Sequence, residues 1–526
     1  MEWIVLNEKG GSIVLTSARD GDVGILPNGS YLTVKDDNGQ GTFVLRVEQS
    51  EQNAIYNPTP LLADLNLNLQ EADRACKNIL KAKKVYDLSS REDGFISYIK
   101  PQSKARLSTQ DEILKATDSI NNNGPSIFPA TVQSARSQKI KGENGHPIIV
   151  KIPDDVYWHQ FQITGKTGSG KTVATKYLAE QFVSSRIKVG DDQKYGCVLA
   201  INVKDTDFLM MDKATNIKSK EIHEEWDSVG VKPEGLTNYR ILYSAHENLE
   251  ELANQGVDKT LCEPITLMAK DIEPDALLGI VENLTELARQ ALPDIFRAWQ
   301  RENNNGHFND FLDLIQNHID LGNTDNFDGV DVNGRSYHVS LNPNTAAALN
   351  RRLKDAGKYF ENDNGNTIDA EDILQEGLFT VIDVSRSIDF GSIVLSYILN
   401  RILKLKQEHG ENTPILIIID EVHQFYQSNA SRGALQVLDT ICRVGRSRKM
   451  GVVFSSQNIN DIPKGLTSVI NTKLMFKTDE IGKKMNGIDS EDIQSMKAGY
   501  CLTNIHGLPQ LKTAKFPVSG SGVIQN

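Results

Sequence analysis

Apolar and polar residues alternate through positions 1–50, as in Trp3-Ile4-Val5-Leu6, Ser12-Ile13-Val14-Leu15 and Thr42-Phe43-Val44-Leu45-Arg46-Val47. Turn residues at Gly10-Gly11, Pro27-Asn28-Gly29 and Asn38-Gly39 separate these runs. Asn-Gly between two-residue-period runs is a strong hairpin signal, so a small antiparallel β-barrel is predicted. Residues 66–88 read as a helix, and Asn121-Asn122-Asn123-Gly124-Pro125 as a linker or loop. From Pro147 onward the pattern changes. Short apolar runs near 159–164, 197–203, 239–244, 378–383, 415–419, 452–455 and 473–476 alternate with helical stretches, which predicts a mostly parallel sheet covered by helices. A longer tract, 264–320, places Leu277, Leu278, Val281, Leu284, Leu287, Ala288, Ala291, Leu292, Ile295, Phe296 and Trp299 three or four apart. That spacing predicts a packed amphipathic helical insertion, ended at Asn303-Asn304-Asn305-Gly306. Asn362–Asn366 reads as an exposed loop and Ser519-Gly520-Ser521-Gly522 as a flexible tail.

Against this frame one segment carries defined chemistry. Gly165-Lys166-Thr167-Gly168-Ser169-Gly170-Lys171-Thr172 matches the phosphate-cradling pattern G-x-x-x-x-G-K-[ST], with a predicted strand before it and a helix opening at Thr172-Val173 after it. The glycines let backbone N–H groups turn toward phosphates, and the helix aims the positive end of its dipole at the same anion. Lys171 would reach the β- and γ-phosphates, and the Thr172 hydroxyl would ligate Mg²⁺. The expected ligands of residues 165–173 are therefore ATP and Mg²⁺.

Such a loop needs an acidic partner. Ile415-Leu416-Ile417-Ile418-Ile419 suits a strand buried on both faces, and Asp420-Glu421 would stand at its C-terminal tip, where open α/β sheets bind ligands. Asp420 is expected to hold Mg²⁺ through water, and Glu421 to take a proton from the attacking water. The strand Gly451-Val452-Val453-Phe454-Ser455-Ser456 ends in Gln457, which reads either as an ordinary strand-end amide or as a group expected to sense the γ-phosphate or position the water beside Glu421. Between the two strands, Arg443-Val444-Gly445-Arg446-Ser447-Arg448-Lys449 is strongly cationic. It reads either as a solvated helix end or as the source of an arginine finger for a neighbouring subunit, with Arg443 and Arg446 the candidates. Asp420-Glu421-Val422-His423 also looks like the acidic box of two-lobed helicases, but the 103 residues after His423 include the Gln457 strand of the first lobe, so a second lobe of the usual size is not expected. A neighbouring copy, in a closed ring, would then have to complete the site.

In these motifs and their order the chain resembles the HerA/FtsK superfamily of ring ATPases, and within it the HerA-type DNA translocases. The resemblance rests on the Gly165–Thr172 loop, the Ile415–Glu421 strand, Arg443–Lys449 followed by Gly451, and Ser455-Ser456-Gln457. It implies an α/β fold: a RecA-like (ASCE P-loop), mostly parallel sheet core with an N-terminal β-barrel and a helical insertion. The expected divisions are 1–110 for the barrel and a connecting helix, 111–145 for a linker, 146–263 and 356–526 for the two parts of the core, and 264–355 for the insertion. It further implies a hexameric ring that moves double-stranded DNA, working beside an effector such as a NurA-like nuclease or a sirtuin-like enzyme. Lys171, Thr172, Asp420, Glu421 and Gln457 would carry the ATP chemistry, with Arg443 or Arg446 acting in trans. One departure stands out: Asn202 occupies a strand tip where many relatives have aspartate, with Asp205 and Asp207 nearby.

Bulk properties adjust this picture. A net charge of −12 argues against a broad DNA-coating surface but not against a few inward lysines in a channel, for which Lys139, Lys141, Lys213 and Lys218 are candidates. The same acidity fits an alternative, an ATP-gated ring scaffold that switches on an effector with little translocation. No apolar run approaches a membrane span, and the five cysteines are scattered as in a reduced, cytoplasmic protein. No cysteine or histidine spacing suggests structural zinc.

Overall fold

The alternation in the first hundred residues closes on itself. A computed structural model describes residues 3–17, 26–36, 41–54, 76–89, 98–133, 136–204, 206–279, 284–427, 432–462, 464–479 and 488–525. Strands β1 (Trp3–Lys9), β2 (Ser12–Ser17), β3 (Tyr31–Lys35), β4 (Thr42–Ala54), β5 (Cys76–Asp87) and β6 (Lys104–Leu107) form a closed barrel in the order β1-β2-β5-β4-β3-β6. Closure runs through Ala105, which faces both Trp3 and Val34. Trp3, Val5, Ile13, Leu15, Leu32, Val34, Phe43, Leu45, Leu80 and Ala82 fill the interior. The helix expected over 66–88 is corrected: β5 occupies 76–87, and 66–75 lie outside the described residues. Leu80 and Ala82 point inward between outward lysines, so period-two burial against β2 and β4 overrides the helical propensity of Leu, Ala and Lys.

The chain divides into two compact units that do not follow its linear order. The smaller comprises Met1–Val156, Gly165–Lys171 and Thr472–Pro517. Beside the barrel it holds the short helix α1 (Gln110–Ala116), which Thr109 and Glu112 close with a capping box. It also holds an antiparallel sheet in which Thr472–Phe476, Tyr500–Asn504, Thr513–Lys515 and Ser126–Thr131 pair in turn. Residues 111–145 thus contain a helix and a sheet strand.

The larger unit comprises Tyr157–Thr164, Thr172–Asn471 and Val518–Asn526. Its strands are β7 (Phe161–Thr164), β8 (Cys197–Asn202), β9 (Tyr239–Ser244), β10 (Cys262–Thr266), β11 (Phe379–Asp383), β12 (Ile415–Ile419) and β13 (Met450–Ser456). They lie in the order β10-β9-β11-β8-β12-β13-β7, every pair parallel. All five residues of β12 are fully buried, as a strand covered on both faces requires. Helices α2 (Lys171–Ser184), α3 (Glu286–Glu302), α4 (Phe308–Asp320), α5 (Pro343–Ala356), α6 (Ile388–Glu408) and α7 (Arg432–Val444) provide much of that cover. One apolar cluster runs from Leu199, Ile417 and Val452 of the sheet to Phe296, Trp299 and Phe311 of α3 and α4. The helical tract starts later than expected: 262–266 is strand β10, and α3 opens only after its N-cap Thr285. Val281 lies outside the described residues, and Leu287 is exposed, not packed. Among the described residues no helix is long and apolar enough to cross a membrane.

The tail is the clearest reversal. Ser519 and Ser521 are fully buried, not flexible. Glu180 of α2 accepts hydrogen bonds from Ser519 Oγ (2.6 Å) and Gly520 N (2.8 Å), Lys176 Nζ donates to Gly522 O (2.6 Å), and Trp226 Nε1 donates to Val518 O (2.7 Å). A Cβ on Gly520 would stand 2.1 Å from Lys232 O. The small residues that suggest flexibility here permit close backbone approach.

Burial pushes the Glu180 carboxyl up to about 7, against the hydrogen bonds from Ser519, Gly520 and Ser521. A folded pKa above the usual carboxyl value means that the stability this group contributes is full below about pH 4.5 and is lost as pH rises through 7, by up to about 3 kcal/mol. Glu180→Gln keeps an acceptor but cannot ionise. Melting temperatures measured from pH 4.5 to 7.5 should therefore show the variant gaining on the natural chain by a few degrees as pH rises; parallel curves would refute this assignment.

Candidate functional site: the nucleotide loop and the C-terminal edge of the sheet

The parallel register brings three strand tips together. Ile163 and Thr164 of β7 pair with Ser455 and Ser456 of β13, and Ile418 and Ile419 of β12 pair with Val453 and Phe454. Hence β7, which leads into the nucleotide loop, β13, which leads to Gln457, and β12, which leads to Asp420-Glu421, end on one edge. The strand that leads to Gln457 lies between the other two.

By their contacts Gly165–Lys171 belong to the smaller unit, whereas Thr172, Val173, Asp420, Glu421 and Gln457 belong to the larger. In the smaller unit the loop is held by backbone bonds: Lys166 N to Lys477 O and Gly499 N to Ser169 O, both 2.9 Å. Gly168 and Gly170 have φ of 77° and 93°, and a Cβ at Gly170 would meet Gly499 N at 2.5 Å, so only glycine fits there. Lys166 forms a 2.9 Å ion pair with Asp479. Ser169 and Lys171 are buried. Val173 follows Thr172 in the first turn of α2.

In the larger unit Asp420 and Glu421 are both buried. Glu421 has φ of +43°, a left-handed conformation that costs a non-glycine residue about 1–2 kcal/mol. Backbone bonds hold the turn: Val422 N donates to Ser455 O (3.0 Å) and Gln424 N to Glu421 O (2.9 Å). Gln457 Nε2 lies 3.4 Å from both Glu421 carboxylate oxygens, so the expected base and sensor are brought together. Lys176, one turn beyond Thr172 on α2, has its ammonium pKa lowered to about 8 by burial, opposed by the charges of Asp207 and Asp420. The Thr172 helix thus runs beside Asp420. A hydroxyl and a carboxylate are hard oxygen donors of the kind Mg²⁺ takes, and this donor set fits the ion.

Other sequence candidates fall elsewhere. Arg443 is clamped by Asp439 one turn earlier on α7, through Nε at 2.8 Å and a second nitrogen at 3.0 Å. Arg446 is exposed in the 3₁₀ turn Gly445–Arg448. Lys139 stands over the Phe128 ring and Lys213 donates to Gly256 O, whereas Lys141 and Lys218 are exposed. Asn202 ties two strand tips together: its Nδ2 donates to Asp383 Oδ1 (2.9 Å) and its Oδ1 accepts from Phe208 N (3.1 Å). Asp205 lies outside the described residues, and Asp207 acts on Lys176. Sequence reasoning missed Lys176 and Glu180, which look like solvent-face residues of a helix until the tail covers them. It also gave no role to His423, which lies 3.3 Å from Glu421, or to Asp461, 3.8 Å from His423.

The parallel strand order, with the acidic pair at a strand tip, makes the larger unit a RecA-like α/β core. No protein-family model matches the chain. It is similar to the DNA double-strand break repair helicase HerA of Sulfurisphaera tokodaii, 26% identical over 161 residues, or 29% of this chain. The match spans about a third (31%) of that relative's length. Among solved structures it is similar to VirB4 of Thermoanaerobacter pseudethanolicus (12% identity, 76% of this chain and 98% of that one, TM-score 0.44). A bacterial conjugative coupling protein, TrwBdeltaN70, is another (11% identity, 80% and 94%, TM-score 0.45). The resemblance to HerA-type ATPases read from the motifs is thus also a sequence similarity to HerA.

Proposed function

We propose that this chain is an ATPase of HerA type that assembles into a ring, as a hexamer, and couples ATP hydrolysis to movement along double-stranded DNA. The observation that carries the reading is Gln457 against both oxygens of Glu421, on the sheet edge from which the nucleotide loop departs. Lys171 binds the β- and γ-phosphates, and the Gly165–Thr172 backbone cradles them. Thr172 and Asp420 would hold Mg²⁺, which when bound supplies charge neutralisation on the phosphate oxygens. Glu421 accepts a proton from water as that water's oxygen attacks the γ-phosphorus. The bond to the β,γ-bridging oxygen breaks, and ADP leaves with its electron pair. Gln457 orients Glu421 and the water. Arg446, exposed and, among the described residues, without the carboxylate clamp seen at Arg443, is the first candidate to reach a neighbouring copy's ATP. A partner such as a NurA-like nuclease or a sirtuin-like enzyme would supply any chemistry on DNA or defence metabolites, by family analogy.

The net charge of −12 favours one second reading, a ring scaffold that activates an effector with little translocation. Hydrolysis strongly stimulated by double-stranded DNA supports the motor; stimulation by the effector alone supports the scaffold.

Glu421→Gln should retain ATP binding while turnover falls by about 10²–10⁴-fold; unchanged turnover would remove Glu421 from its role. Lys171→Ala and Arg446→Ala subunits, each inactive alone, should recover part of the activity when mixed, because some interfaces then pair an intact loop with an intact arginine. If the mixture stays as inactive as its components, the arginine does not act in trans.

A further inference from the structure

We infer that His423 is a positioning residue for Glu421, through a contact chain that links the strand leading into the nucleotide loop to the water-activating carboxylate. The inference rests on the proposed hydrolytic reading and adds a residue to it. His423 Nδ1 lies 3.3 Å from Glu421 Oε2 and 3.8 Å from Asp461 Oδ2, with only a quarter of the side chain exposed. One ring nitrogen, which carries at most one N–H, therefore faces two carboxylates at ion-pair distance with no hydrogen bond formed among the described residues, and Glu421 is the nearer.

Both ends of this contact are fixed. Asp461 Oδ2 accepts from Asn458 N at 3.0 Å, and Ser456 Oγ donates to Asn458 O at 2.8 Å, so the turn after β13 holds Asp461 in place. Gln162 of β7 donates from Nε2 to Ile459 O at 3.0 Å, which ties the same turn to the strand that enters the loop. At the other end Gln457 approaches Glu421 from β13. The path Gln162–Ile459 turn–Asp461 runs through hydrogen bonds and continues to His423 and Glu421 through charge contacts, and all of it lies in the larger unit.

Glu421 needs such support because its backbone is left-handed. A residue in that region stays there only when its surroundings over-determine it. Backbone bonds hold the turn, but within it the carboxylate still has its own torsional freedom. Gln457 limits that freedom from one side and His423 from the other. With His423 removed, Glu421 would sample rotamers in which it no longer meets the attacking water. Displacement of a reacting group by about 1 Å costs on the order of 10²-fold in rate. Nucleotide binding uses other residues and should not feel the change.

The test is steady-state hydrolysis by the full chain, with Glu421→Gln measured in parallel. His423→Ala should lower kcat by about 10- to 100-fold with KM for ATP within about twofold of the natural chain. His423→Phe, which keeps ring volume without the nitrogen, should show the same loss. His423→Asn, whose amide nitrogen reaches the place of Nδ1, should recover much of it. In a Glu421→Gln background His423→Ala should add almost nothing, because its effect runs through that carboxylate. Unchanged kcat in the Ala and Phe variants, a full further loss in the Glu421→Gln background, or a rise in KM alone would overturn the inference while leaving the hydrolytic reading in place. A Glu421→Gln variant that turns over normally would overturn both.

Discussion

Parallel pairing of β7, β13 and β12 is the constraint on which the chemistry depends. In a parallel sheet every strand ends on the same side, so side chains just beyond the last paired residues meet without any need for closeness in sequence. Asp420 and Gln457 are separated from the nucleotide loop by hundreds of positions, yet the register Thr164–Ser456 and Ile419–Phe454 places their strands' tips beside one another. The apolar content of β12 and β13 fixes this register, because a strand buried on both faces is held by packing above and below as well as by its ladder bonds. Glu421 follows directly: its left-handed φ turns the chain out of β12 toward Ser455 and Gln457.

The second consequence concerns helix α2. One end carries Thr172, and its interior carries Lys176 and Glu180, two buried charged residues that a helix cannot afford to leave unpaired. The tail supplies the partners: Gly522 O for Lys176, and Ser519 Oγ with Gly520 N for Glu180. Asp207 and Asp420 supply opposing charge to Lys176. The helix that carries Thr172 is thereby seated by segment 518–522 and by the charge of Asp420. Distant segments thus converge on α2 at Lys176 and Glu180, one and two turns beyond Thr172.

Much of this architecture is legible in the sequence. The barrel showed in the alternation of Trp3–Leu15 and Thr42–Val47, the core strands in their apolar runs, and the loop in its fixed spacing of glycines. What escaped did so for physical reasons. Cys76–Asp87 contains good helix formers, and only its neighbours β2 and β4 make it a strand. The stretch 262–266 carries a single apolar side chain of β type, Ile265, so its pairing with β9 left no periodic mark. Ser519–Gly522 has the composition of a linker because small residues suit both mobility and tight backbone contact, and composition alone does not separate the two. His423 and Asp461 gained meaning only from the fold, since nothing in their spacing announces that one faces the other. Arg443 and Arg446 read alike in sequence; Asp439, four residues before Arg443, separates them.

The most direct test of the account is a structure of the assembled chain with Mg²⁺ and a non-hydrolysable ATP analogue. The γ-phosphate should lie at the C-terminal edge of β7, β13 and β12, with the Thr172 hydroxyl on the metal and a water held between Glu421 and the γ-phosphorus. An analogue bound with Glu421 and Gln457 more than one water away from the γ-phosphate would contradict it.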